Sequence, residues 1–158
     1  MSAVTSYRHD EDRAQSVLFD LLRDRSEWLA LARRLETAPG GRAWARVFDS
    51  PDADGWLIAW GPSSRVGAHD HGGSRGAVHV LQGALVETYR ATVAEPGEHI
   101  RRIARGATVG IPHDRVHDVA NGIAGISLSL HVYAPRLTTM TFYSSPAETV
   151  ARGRTERI

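Results

Sequence analysis

GATVGIPHDRVHDVAN (residues 106–121), read together with His69-Asp70-His71, decides what kind of fold this chain can adopt. Side chains on a strand alternate between two faces, so residues two apart point the same way. His69 and His71 therefore share a face, with Asp70 turned away. In the longer stretch, Gly106 and Pro112 mark turns, and the strand that follows carries His117 back toward the pair. Three imidazoles converging from separate strands predict a metal site. Imidazole suits zinc, copper, iron and nickel alike, so the donors alone leave the metal open.

Outward from these segments the chain reads as many short strands. Runs rich in β-branched and aromatic residues fall at 44–48, 56–60, 67–71, 77–81, 84–90, 100–105, 107–111, 116–121, 126–133 and 138–143. Gly55, Gly61, Gly83, Gly97, Gly106 and Gly122 lie between them, where turns favour residues without a side chain. Closely spaced strands predict an all-β antiparallel barrel or sandwich. Before it, Val17, Leu18, Leu21 and Leu22 fall at helical spacing. A second helix, with Ser26 as its cap, carries Trp28, Leu29, Leu31, Ala32 and Leu35 and stops before Ala38-Pro39-Gly40-Gly41. Both helices are expected to pack outside the barrel.

The length of 158 residues fits one domain with a hydrophobic core of its own. The expected division is a mobile lead over 1–13, helices over 14–37, the barrel over 44–143 and a surface helix or tail over 146–158. No cysteine is present, which excludes disulfides, thiolate metal sites and cysteine nucleophiles. Lys and Arg number 19 against 18 Asp and Glu, and they are spread along the chain, so no basic stripe points to nucleic acid or to a membrane. The start of the chain is polar and has no apolar signal-peptide core, so a cytoplasmic monomer acting on a small molecule is expected. The four tryptophans are read as core residues, because no basic groove accompanies them.

Gly106, Pro112, His117 and Asn121 stand at the spacings of the second motif of the cupin superfamily, with Asp114 where that motif has glycine. The chain resembles this superfamily, which implies a double-stranded β-helix, or jelly-roll, barrel. In the first motif His69, His71 and Gly83 match, while Gly76 stands where most cupins carry a glutamate ligand. The resemblance thus implies three histidines and no carboxylate.

Further matches narrow the family. Trp60, the run His69-Asp70-His71-Gly72-Gly73-Ser74, Leu81-Gln82-Gly83, Glu87, and the run 129–135 (SLHVYAP) resemble the cysteine dioxygenase family of thiol dioxygenases, over about residues 44–143. The resemblance implies Fe(II) held by His69, His71 and His117, and oxidation of L-cysteine to cysteine sulfinate by O2, a step of cysteine catabolism. Arg46 falls where the family has an arginine that binds the substrate carboxylate. Trp44 replaces a frequent tyrosine two residues earlier, so the substrate pocket is expected to differ. His131 and Tyr133 fall on a pair near the metal, two apart and hence on one face of a strand. In many animal members the tyrosine matching Tyr133 is crosslinked to a cysteine at the position of Gly76, which this chain cannot form. The alternatives are a dioxygenase for another small thiol of the 3-mercaptopropionate kind, and a non-enzymatic cupin that binds a metal or ligand.

The residue types suit that chemistry. Three neutral histidines leave the charge of a divalent ion uncompensated and half of an octahedral coordination sphere open. A guanidinium matches a carboxylate in a two-point, charge-assisted pair, for which lysine is a poor substitute.

Overall fold

A computed structural model describes residues 3–90, 97–147 and 155–157. Helix α1 (Ala3–Arg23) opens the chain, so residues 3–13, expected as a mobile lead, are helical instead. The reason for α1 packing as it does is visible in its period. Ala14, Val17, Leu18 and Leu21 recur at i, i+3, i+4 and i+7 and are all buried, forming one apolar stripe. Helix α2 (Ser26–Ala32) follows with a buried Trp28, whose indole N–H donates to the Leu21 carbonyl at 2.7 Å. Ser26 does not cap it. Arg25 occupies the cap position, and Ser26 donates from its backbone N–H (3.0 Å) and its hydroxyl (2.6 Å) to the Asp24 carboxylate. The helix also ends earlier than its apolar stripe suggests, leaving Leu35 beyond it though still packed on the core.

Ten strands follow: β1 (Arg42–Asp49), β2 (Asp54–Trp60), β3 (Arg75–Gln82), β4 (Ala84–Tyr89), β5 (His99–Ala104), β6 (Thr108–Ile111), β7 (His117–Asn121), β8 (Ser127–Ala134), β9 (Thr139–Thr141) and β10 (Thr155–Arg157). They form a five-stranded sheet in the order β1-β2-β8-β3-β6, a three-stranded sheet β5-β4-β7 and a β9–β10 pair, with every pairing antiparallel. Residues 155–157 are therefore a strand where a helix or tail was expected; the rest of that segment beyond 147 lies outside the described residues. The Ala134-Pro135 peptide is cis.

The five-stranded sheet is covered on both faces, which is why β8 is buried almost throughout. On the outer face Leu57, Ala77, Leu130 and Val132 pack against Val17, Leu18 and Leu21 of α1 and Trp28 of α2. On the inner face Trp60, Val78, Val80 and Ile111 meet Leu85, Ile103 and Val119 of the three-stranded sheet. The β3–β4 turn requires Gly83: its φ is +72°, and a Cβ there would lie 2.3 Å from Ser127 Oγ. This layered arrangement is the cupin double-stranded β-helix. Among the described residues, no helix is long and apolar enough to cross a membrane.

Candidate metal centre

Residues 67–71, expected as a strand, form only isolated bridges, wedged between β7 and β9. His69 pairs with His117 through two backbone hydrogen bonds, of 2.9 and 3.0 Å, and Asp70 N–H donates to the Thr141 carbonyl at 2.9 Å. That lacing provides the alternation a regular strand would have supplied. Asp70 faces away, where its carboxylate accepts from Tyr143 Oη at 2.6 Å and from Gly72 N–H at 3.0 Å. His69 and His71 point inward together.

The rings of His69, His71 and His117 stand 4.7 to 5.0 Å apart between centroids, and their donor atoms lie within 4.8 Å of one another. All three are buried. Burial makes a positive charge costly, so their pKa values fall: His69 to about 4, and His71 and His117 well below the usual histidine range, reinforced by their mutual repulsion. Neutral rings keep a lone pair for a metal.

In two of the three, a hydrogen bond fixes which nitrogen offers it. His69 Nδ1 is 2.7 Å from the Gly67 carbonyl, an acceptor only, so the proton sits on Nδ1 and Nε2 is left. His117 Nδ1 is 2.7 Å from Glu87 Oε1, which leaves its Nε2 buried and without a partner among the described residues. His71 Nδ1 is likewise buried and unpartnered. Unpaired buried nitrogens at a converging histidine set are what a metal ion would satisfy, so the site fits a divalent ion. Among the described residues, no carboxylate belongs to the cluster.

Glu87 matches the family pattern without carrying a role in the sequence; the structure gives it one. It is 0 % exposed, ion-paired with Arg101 and 3.6 Å from Arg115, and it holds the proton of His117. A period-2 reading of β4 points Glu87 to the barrel interior, a signal the sequence did contain.

A cavity of about 350 Å³ opens beside His69 and His117. His131 and Tyr133 line it, and the Tyr133 ring lies 4.8 Å from that of His71. His131 Nδ1 is 3.3 Å from Tyr133 Oη, and its Nε2 is 2.8 Å from Ser129 Oγ, which accepts from Trp60 Nε1 at 2.8 Å. The run of donors that leaves each oxygen accepting one proton is Trp60 to Ser129 to His131 to Tyr133. In that tautomer of His131, with Ser129 donating to Nε2, the Tyr133 hydroxyl proton is left for the cavity. Burial pushes His131 down to about 3 and pushes the Tyr133 phenol up, so both are neutral near pH 7.

The arginine of the cavity is Arg42, where Arg46 was expected. Arg42, Trp44 and Arg46 share one face of β1, but only Arg42 and Trp44 line the cavity. Beyond them a bulge interrupts the β1–β2 register, and Asp49 draws the Arg46 guanidinium to 3.1 Å while the Trp56 ring lies 4.7 Å beneath it. Arg42 instead stands over Trp60 and Trp44, at 5.6 and 5.9 Å, and burial lowers its pKa from the ordinary arginine value. Its place two residues before Trp44 was the available sequence signal. The tryptophans also need correction. Only Trp28 and Trp60 are buried, whereas Trp44 is 58 % exposed, and Trp44, Trp56 and Trp60 all line the cavity.

The sequence profile of cysteine dioxygenase type I matches residues 4–146. A solved protein from Thermus thermophilus is 30% identical, with a TM-score of 0.56, covering 67% of this chain and 94% of its own. A cupin superfamily protein from Desulfitobacterium hafniense is 17% identical (TM-score 0.55, covering 67% and 88%), and KdgF from Halomonas sp. is 20% identical (TM-score 0.53, covering 65% and 86%). The last two show the fold alone. The profile spans nearly the whole chain, including both histidine segments, and the chain therefore belongs to the cysteine dioxygenase type I family.

Proposed function

We propose that this chain is an Fe(II)-dependent dioxygenase that converts a carboxylated thiol, R–SH, with O2 into the sulfinic acid R–SO2H. Both oxygen atoms end on sulfur, so no further oxidant or reductant is needed. L-cysteine is the substrate that family membership supports. The observation that carries the reading is the carboxylate-free histidine cluster opening onto a cavity that holds one arginine.

Held by His69, His71 and His117, Fe(II) would supply the redox chemistry by which O2 reacts with a thiolate. The protein's own part is to hold and orient. Glu87 and the Gly67 carbonyl keep the protons of His117 and His69 on Nδ1. Arg42 pairs with the substrate carboxylate and sets the thiol at the histidine end of the cavity. Arg46, bound to Asp49 on the same strand face, is the second candidate for that pairing. Tyr133, kept as a phenol by burial and oriented by His131, offers a proton at Oη toward the cavity.

A thiol acid lacking the amine, such as 3-mercaptopropionate, is the second reading. It is favoured by the cavity lining, which contains no Asp or Glu among the described residues to receive an ammonium group. Oxygen uptake by iron-loaded protein, with one sulfinate formed per O2, tests the activity. Uptake with cysteine or a thiol acid is expected. No uptake with any small thiol would overturn it, and full zinc occupancy after purification without added metal would favour a non-redox metal-binding cupin.

A further inference from the structure

The cavity walls are more apolar and more extensive than cysteine requires. Trp44, Trp56, Trp60, Met140 and Phe142 contribute, and among the described residues the one Arg or Lys in the lining is Arg42. A volume of about 350 Å³ lies in the range of sites that enclose ligands well beyond the size of a three-carbon amino acid. Cysteine would offer these walls a single methylene, leaving most of the aromatic surface in contact with water. Arg42 has no ion-pair partner among the described residues and rests on Trp60 and Trp44, so its donors are preoriented but unspent. An unpaired guanidinium in an aromatic enclosure fits a ligand with an anionic end and an apolar body.

On the reading of this site as a thiol dioxygenase, we infer that the preferred substrate is a thiol carboxylate bearing an aromatic or branched aliphatic body, taken ahead of cysteine, its carboxylate on Arg42 and its body against Trp56, Met140 and Phe142.

Metal-free protein allows the ligand class to be tested apart from the chemistry, because three of the four tryptophans line the cavity and their fluorescence reports occupancy. Titration with 3-phenylpropionate, propionate and 3-phenylpropanol should give the tightest binding for 3-phenylpropionate, by about tenfold or more over either of the others. Arg42→Gln should remove most of the advantage over the alcohol, and Met140→Ala, at a half-buried position on β9, should narrow the advantage over propionate. Iron-loaded protein should then oxidise 2-mercapto-3-phenylpropionate with a higher kcat/KM than L-cysteine. Equal binding of propionate and 3-phenylpropionate, or a higher kcat/KM for cysteine, overturns the inference while leaving thiol oxidation standing. Tight, Arg42-dependent binding of 3-phenylpropionate without oxidation of any thiol supports the ligand class and overturns the dioxygenase reading instead.

Discussion

Glu87 and His117 lie on neighbouring strands, β4 and β7, in diagonal register, and their side chains meet at 2.7 Å inside the barrel. Glu87 pairs with Val119, and His117 is two residues further along, which is within reach of a long side chain on the same face. Arg101 and Arg115 close around the carboxylate from the other side, and the Tyr89 ring lies beneath both guanidiniums, at 5.2 and 4.1 Å. The buried carboxylate is thus flanked by cations, and its remaining acceptor capacity orients an imidazole of the histidine cluster.

Glu87→Gln keeps the size of the side chain but loses the charge that favours a proton on His117 Nδ1. Partners of this kind behind a metal ligand contribute about 10–100-fold to metal affinity. Competition with a chelator should show iron binding weakened by that order. Unchanged affinity would mean that the Glu87–His117 contact is only structural.

Arg42 and Arg46 make a discriminating pair. A charge-assisted hydrogen bond contributes about 1.5–3 kcal/mol, or roughly 10–100-fold in binding. Arg42→Gln should raise KM for a carboxylated thiol by that factor, with a smaller change in kcat, and Arg46→Gln should raise it much less. The reverse order would assign the carboxylate to Arg46 despite its bond to Asp49.

Gly76 faces Tyr133 directly across the β3–β8 pair, and a Cβ built there lies 3.1 Å from Tyr133 Cε1 and 3.1 Å from Ile111 Cβ. Gly76→Cys would place a thiol at the edge of the tyrosine ring. Aerobic incubation with iron and thiol should then remove two hydrogens from the intact mass as a thioether forms between the two side chains. The same variant should be destabilised by about 1–3 kcal/mol, since the site is already filled. A mass that never changes would show that proximity is insufficient for the crosslink here.

Acid should destabilise the metal-free protein in a defined window. His69 and His131 have folded pKa values of about 4 and about 3, against 6.5 for an exposed histidine. The unfolded chain takes up protons first, so stability present above pH 6.5 is lost as pH falls, at about 1.4 kcal/mol per unit for each group, until its folded value is passed. Denaturant midpoints measured at pH 7, 6 and 5 should fall steadily. His131→Gln should make that slope shallower; an unchanged slope would mean that His131 is not kept neutral by burial.

Much of the barrel is legible in the sequence because strand and turn chemistry act locally. Nine of the ten runs read as strands correspond to β1–β9; the exception, 67–71, depends for its extended form on lacing to His117 and Thr141 across the fold. The helix over 3–13 escapes a sequence reading because its polar residues mask it and its apolar stripe begins only at Ala14. Ser26 looks like a cap but is not one, because Asp24, two residues earlier, captures its N–H and hydroxyl.

The chain itself determined the donor set. His69 and His71 share a face by the period of an extended segment, the resemblance to cupins implies that Gly76 stands where a carboxylate ligand would, and the absence of cysteine removes thiolate ligands from the protein. Tertiary structure alone decided which arginine meets the cavity and what holds the third histidine. Arg42 and Arg46 are equivalent by strand parity, and they part only because Asp49 and the Trp56 ring hold one while the Trp44 and Trp60 rings hold the other inside. The pairing of Glu87 with His117 likewise arises from the register between two strands, across 30 residues of chain, which no local spacing encodes.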